Sequence, residues 1–204
     1  MSVRALVLDR DGVLNELWHE PDLGTVDSPA RPDQVRLAAG AADAVRAANR
    51  AGVRVVVASN QPGVAKGKCT PQLLDAVTGA LLHLLAAQGA HVDDVRYCVH
   101  HPDAVVDRLR AGCPRRKPGA GLLLDIARDL GIAPGGTWFV GDTHVDVAAG
   151  RAGGFRTAWV GRSRCDVCPT RGAEPPDLVA PDLLTATLTI LEGENHDAAL
   201  SRQR

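Results

Sequence analysis

Aromatic side chains are scarce in this 204-residue chain: three Trp, two Phe and one Tyr. Single-stranded nucleic acid is usually held by aromatic platforms inside a positive groove. The chain offers no such platform, and its formal net charge is only −1. No nucleic-acid partner is expected, and the same balance gives an anionic membrane nothing to attract. No apolar run approaches the ~20 residues of a membrane span. The N-terminus passes straight into the apolar stretch Val3–Leu8 without a basic, apolar, small-residue leader. A cytoplasmic protein, without a membrane partner and working as a monomer, is expected. The five cysteines are odd in number and scattered, which argues against a disulfide framework and for reduced thiols or metal ligands. Lysine is rarer still, three against twenty arginines, so each lysine invites a question.

What is present is a rhythm. Apolar runs that read as strands recur at Val3–Leu8, Val53–Ala58, Val95–Val99, Thr137–Val140, Phe155–Val160 and Leu178–Ala180. Helical patterns lie between and after them, at Ala39–Arg50, Pro71–Gln88, Gly121–Leu130, Asp146–Ala152 and Pro181–Leu191. Thr70-Pro71 has the form of an N-cap followed by proline at the first helical position. Strands alternating with helices predict an α/β fold with a doubly wound, mainly parallel sheet. One domain is expected over residues 1–191, with 192–204 as a polar, frayed tail. Three stretches break the rhythm. Glu16–Asp33 reads as a loop over the edge of the first strand, His100–Pro118 is long for a connection, and Gly161–Pro176 is exposed by composition.

Asp9-Arg10-Asp11-Gly12 leaves the first strand directly. Two carboxylates spaced i, i+2 share a face of extended backbone and arrive at the strand's C-terminal edge, where open α/β sheets bind ligands. Such a pair repels unless a cation lies between, and Mg2+ favours one or two carboxylates plus phosphate oxygens. The same tetrad also occurs in calcium loops and plain turns. Val55–Ala58 runs into Ser59-Asn60-Gln61, a hydroxyl backed by a turn whose free N–H groups suit a phosphate oxygen, although, taken alone, the stretch reads better as a simple Asn and Pro-Gly turn. Arg115-Arg116-Lys117 stands before a helix, either a solvated basic loop or an ammonium for a phosphoryl group. A further strand ends in Gly141-Asp142-Thr143-His144-Val145-Asp146, where each acid alone would serve as a helix cap.

Taken in order, a strand with DxDG, a strand with serine, a lone lysine and a strand with GDxxxD resemble the haloacid dehalogenase (HAD) superfamily of phosphohydrolases. Asp9–Asn15, Ser59–Gly67, Tyr97–Pro102 and Arg116-Lys117-Pro118 resemble the D,D-heptose 1,7-bisphosphate phosphatases, near relatives of the histidinol-phosphate phosphatases. The resemblance runs over most of residues 3–191 and is weakest in Gly161–Pro176. It implies a Rossmann-like HAD fold whose minimal cap is made of loops, and a small-molecule phosphate ester as substrate. It also implies Mg2+ held by the Asp9 carboxylate, the Asp11 backbone carbonyl and Asp142. Asp9 is then the nucleophile that becomes an aspartyl-phosphate, and Asp11 the general acid and base. Ser59 and Lys117 hold the phosphoryl oxygens, while Asp146 orients Lys117 or a metal-bound water. Leu17, Trp18, His19, Glu20, Asn60, Gln61 and Arg116 are expected to contact the substrate. The expected reaction is removal of the 7-phosphate of D-glycero-D-manno-heptose 1,7-bisphosphate. Histidinol phosphate, another small sugar phosphate and a DNA 3′-phosphate are the rival esters, and a non-catalytic module that kept the fold is the rival from another class.

The resemblance fails at one place. Relatives commonly carry zinc on Cys-x-His followed by Cys-x-Cys. Here Cys98, His100 and Cys113 match, but Arg115 stands at the fourth position. A structural zinc wants four closed ligands, so zinc is expected to be lost or weakly held. Cys165-x-x-Cys168 has metal or redox spacing without a second pair, and incidental surface cysteines are the simpler reading. Thr143 stands where many relatives have lysine.

Overall fold

The computed structural model describes residues 4–20, 24–161 and 174–201. Strand β1 (Ala5–Leu8) is buried on both faces, as its unbroken apolar run requires. Leu6 and Leu8 enter one core, Ala5 and Val7 the other. An antiparallel hairpin follows, β2 (Trp18–Glu20) with β3 (Thr25–Asp27), pairing Trp18 with Asp27 and Glu20 with Thr25. Helix α1 (Ala41–Arg50) leads to β4 (Arg54–Asn60), and α2 (Pro71–Ala86) to β5 (Asp94–Cys98). Then come α3 (Gly121–Leu130), β6 (Thr137–Gly141), α4 (His144–Ala152), β7 (Arg156–Val160), β8 (Leu178–Ala180) and α5 (Leu183–Ser201).

The six-stranded sheet has the order β5-β4-β1-β6-β7-β8, and every pair in it is parallel. Val55 and Val57 of β4 pack with Leu6, Leu8 and Val140 under α1, α2 and α5. On the opposite face Val56, Ala58 and Phe139 pack against Leu122, Leu123 and Ile126 of α3 and Ala149 of α4. This is the doubly wound parallel sheet predicted above. The chain leaves β1 for β4 on one side and later returns to β6 on the other. The C-terminal ends of β1, β4 and β6 therefore meet at the topological switch point, where such sheets bind ligands.

Several boundaries differ from those read in the sequence. The Thr70 hydroxyl caps α2 as expected, accepting from Leu73 N at 3.1 Å. Helix α4 begins two residues before Asp146, because Thr143 takes the cap and Asp146 becomes its capping-box partner. Helix α5 begins at Leu183, with Asp182 accepting from Thr185 N at 2.7 Å. It continues to Ser201, so residues 192–201 are helical where a frayed tail was expected. Ala198, Ala199 and Leu200 are strong helix formers, which the polar average of that segment conceals. The stretch read as a loop over β1 contains the β2–β3 hairpin. The expected exposed segment near Cys165 and Cys168 lies outside the described residues. No helix among the described residues is long and apolar enough to cross a membrane.

Candidate active site

Asp9 follows β1 immediately, and its backbone N–H donates to the Val140 carbonyl of β6 at 2.9 Å. Its carboxylate is buried and faces Asp142 and Asp146, all three offering oxygen atoms within 4.8 Å of one another. Gly12 makes this approach possible. Its φ of +87° belongs to the left-handed region, and a Cβ there would sit 2.2 Å from Asp142 Oδ2. Gly141 works likewise, because a Cβ there would lie 2.2 Å from the Asp146 Cβ.

Lys117 is 3% exposed and reaches into this acidic group. Its Nζ lies 2.9 Å from Asp9 Oδ1 and 2.6 Å from Asp146 Oδ1, and donates to the Ala58 carbonyl at 3.2 Å. The Asn60 side chain spans to Lys117, donating to its carbonyl at 3.0 Å and accepting from its N–H at 3.1 Å. Asn60, read in the sequence as a substrate contact, is thus occupied in holding the lysine loop against β4. Asp146 Oδ2 accepts from Thr143 N at 3.1 Å and from Thr143 Oγ1. Asp146 thus contacts both Lys117 and Thr143. Burial pushes the Asp9 carboxyl up to about 6, an effect that Lys117 opposes and Asp146 reinforces.

Asp11 leaves this group. Its carboxylate turns away from Asp9 and accepts from Arg10 Nε at 3.1 Å, Arg10 Nη2 at 3.0 Å, Asn15 Nδ2 at 2.9 Å and Gln61 Nε2 at 2.6 Å. The i, i+2 spacing does not put the two carboxylates on one face here, because a turn with Leu14 N donating to Arg10 O replaces the extended backbone after Asp9. Gln61 Nε2 also reaches Ser59 Oγ at 3.1 Å, and the nearby Ser59 hydroxyl works against the upward shift of Asp9. Arg10 was not among the residues singled out from the sequence. The only signal it gave was a cationic side chain between the two aspartates of the strand exit.

Three chain segments border the site. Trp18, Asp27, Gln61, Lys66, Lys68 and Cys69 line a cavity of about 310 Å³ beside Asp11's partner Gln61. Lys68 pairs with Asp27 and ties the hairpin to the segment after β4. Leu17 and Trp18 are half-buried in the same strap, His19 is exposed, and Glu20 closes β2. The 100–118 connection is pinned by Val105 N and Val106 N, both donating to Ala65 O. Arg116 Nη1 donates to the His100 carbonyl at 3.2 Å. Cys98, His100 and Cys113 converge, with ligand atoms within 4.8 Å of one another. Arg115 does not join them, because its Nε pairs with Asp125 of α3 at 2.6 Å.

The donor set around Asp9 suits a small hard cation. Three carboxylates bring oxygen atoms within 4.8 Å of one another, and with Asp146 engaged by Lys117 and Thr143, Asp9 and Asp142 are the pair that would present oxygens to a cation. Carboxylate oxygens in that number fit Mg2+. With its carboxylate enclosed by four N–H donors, Asp11 has its backbone carbonyl left as a possible ligand.

A HAD-hydrolase-like family pattern matches residues 114–186. The chain is 37% identical over 151 residues to the D-glycero-beta-D-manno-heptose-1,7-bisphosphate 7-phosphatase of Rhodopseudomonas palustris, covering 74% of this chain and 79% of that protein. It is 33% identical over 168 residues to the Escherichia coli K12 protein of the same name, covering 82% and 84%. The crystal structure of D,D-heptose 1,7-bisphosphate phosphatase from B. bronchiseptica, complexed with magnesium and phosphate, superposes with a TM-score of 0.78. That pair is 30% identical and covers 93% of this chain and 99% of the other.

Proposed function

Since the chain belongs to the HAD-like phosphatase family that contains the D-glycero-D-manno-heptose-1,7-bisphosphate 7-phosphatases, we infer that it hydrolyses that ester at C7. The observation that carries the reading is the buried Lys117 ammonium, placed between Asp9 and Asp146 where β1, β4 and β6 meet. A lone ammonium buried among carboxylates at that edge is arranged for an incoming phosphoryl group rather than for fold stability alone.

Asp9, Asp142 and the Asp11 carbonyl would hold Mg2+, whose charge neutralises the phosphate dianion and admits an anionic nucleophile. The Asp9 carboxylate attacks phosphorus. The bond from phosphorus to the sugar oxygen breaks, and an aspartyl-phosphate forms on Asp9. Lys117 and the Ser59 hydroxyl bind the non-bridging oxygens, where charge redistributes in the transition state. Asp11, beside the cavity that would take the sugar, first takes up a proton from solvent as one of its N–H contacts opens, and delivers that proton to the departing alkoxide. It then takes a proton from the water that attacks the acyl phosphate, which frees inorganic phosphate and regenerates Asp9.

Phosphate release from heptose 1,7-bisphosphate, histidinol phosphate and a 3′-phosphorylated oligonucleotide, each with Mg2+, tests the reading. Heptose bisphosphate is expected to have the highest kcat/KM, and Asp9→Asn is expected to abolish turnover. Robust hydrolysis by Asp9→Asn would remove the covalent mechanism, and preference for either other ester would reassign the substrate.

A further inference from the structure

We propose that Arg10 is a positioning residue of this reaction, aiming the Asp11 carboxylate and fixing which end of the Gln61 amide faces it. The inference rests on the acid–base role of Asp11 argued above. Arg10 is 1% exposed, although it lies at the exit of a strand among groups that solvent could otherwise hydrate. Burying a guanidinium is unfavourable unless its donors are well used. Two of them form a fork on Asp11, Nε to Oδ1 at 3.1 Å and Nη2 to Oδ2 at 3.0 Å, the geometry in which arginine fixes a carboxylate plane. Nη2 also donates to Gln61 Oε1 at 2.8 Å.

The last contact has a consequence for Ser59. With Oε1 held by Arg10, the amide must turn Nε2 toward Asp11 Oδ2, at 2.6 Å, and Ser59 Oγ, at 3.1 Å. Rotating the amide by half a turn would bring two N–H donors face to face at Arg10. A single guanidinium thus sets the direction of a carboxylate and of the amide that joins it to the phosphate-binding hydroxyl. Asn15 Nδ2, at 2.9 Å from Oδ1, completes two N–H donors on each oxygen of Asp11.

A purely structural arginine would be expected to satisfy its whole head group. Here the remaining nitrogen, Nη1, is buried without a hydrogen-bond partner among the described residues, and the Tyr97 ring lies 5.4 Å from Cζ. Buried donors are nearly always paired, so the unused edge marks a side chain retained for its other edge. That edge reaches only Asp11 and Gln61.

The test compares kcat/KM of the Mg2+-loaded enzyme on heptose 1,7-bisphosphate and on p-nitrophenyl phosphate. The sugar alkoxide needs a proton to leave and nitrophenolate does not. Arg10→Lys keeps the buried charge but cannot form the fork. It is expected to lower kcat/KM on the sugar ester by about a hundredfold, the scale of a displaced general acid, while the aryl ester changes by less than about fivefold. In an Asp11→Asn background the further loss from Arg10→Lys is expected to vanish, since a residue acting through Asp11 has nothing left to position. Gln61→Met removes the oriented amide while leaving the guanidinium in place. It should reproduce the split between the two esters, and it serves if Arg10→Lys does not fold by circular dichroism. Equal losses on both esters, or losses that simply add to Asp11→Asn, would overturn the proposal. If Asp11→Asn itself kept full activity on the sugar ester, the acid–base reading would fall instead.

Discussion

Burial works against the charge on Lys117, yet Asp146 and Asp9 outweigh it and hold the ammonium above the usual lysine range. Lys117 is therefore a fixed positive charge throughout the pH range in which an enzyme works. Lys117→Ala is expected to cost on the order of a hundredfold in kcat, the scale of losing one preorganised charge stabiliser. Steady-state rates decide this, and a Lys117→Ala variant with normal kcat would place the phosphate elsewhere. Asp9 is the complementary case. Its folded pKa of about 6 stands above the ordinary aspartate value of 3.8, so the folded metal-free protein binds the extra proton between those values. Stability from this group is therefore present at low pH and lost as pH rises through about 6. Asn cannot ionise, so the melting temperature of metal-free Asp9→Asn, relative to wild type, is expected to rise between pH 4 and pH 7. Melts in chelator at several pH values check this, and a flat difference would mean that Asp9 does not bear that penalty. The sequence pointed to Asp9, Ser59 and Asp142 because each lies at the end of a strand, and to Lys117 because it is one of only three lysines. Arg10 and the turned Asp11 were not legible, since the i, i+2 rule holds only for extended backbone.

The strands of the main sheet were legible for a simple reason. A strand covered on both faces needs an unbroken apolar run, and β1, β4 and β6 have one. The β2–β3 hairpin was not, because Trp-His-Glu and Thr-Val-Asp carry no apolar alternation and are too short for propensity to speak. Lys68, distant in sequence, pairs with Asp27 of this hairpin. In the 100–118 connection the family resemblance singled out Cys98, His100 and Cys113, whose ligand atoms lie within 4.8 Å of one another, with Arg115 at the family's fourth position. The structure adds where Arg115 goes, into an ion pair with Asp125 that Arg128 shares at 2.8 Å. His101 Nδ1 accepts from Asp103 N at 3.0 Å and is thereby drawn off. Cys98, His100 and Cys113 would hold zinc as three of four tetrahedral ligands, which keeps a position open to exchange. We expect substoichiometric zinc after purification with modest chelator, and higher occupancy in Arg115→Cys, both by elemental analysis. One tightly held zinc per unmodified chain would show that another ligand closes the site.

The order β5-β4-β1-β6-β7-β8 determines more than where the nucleophile stands. It places the three segments after β1, β4 and β5 side by side on one half of the switch point. The hairpin, the Gln61–Cys69 segment and the 100–118 connection all rise from that half. Asp11 turns toward the same half, onto Gln61, and the cavity of about 310 Å³ opens there. In the mechanism proposed above, a leaving group protonated by Asp11 would extend into this cavity, away from Asp142. Lys66 and Lys68, two of the chain's three lysines, line it. Lys68 is engaged by Asp27, while Lys66 has no ion-pair partner among the described residues. A second phosphate at the far end of the sugar would meet the Lys66 ammonium, with its partly solvent-screened charge acting on binding more than on the chemical step. A bisphosphate is therefore expected to outcompete a simple hexose monophosphate in kcat/KM. Lys66→Ala should erase much of that advantage by raising KM for the bisphosphate, with kcat and the monophosphate parameters nearly unchanged. Parallel kinetics on the two esters measure this. Equal kcat/KM for both in the wild type would mean that the cavity does not bind a second phosphate. An equal effect of Lys66→Ala on both esters would mean that Lys66 supports the loop rather than the ligand.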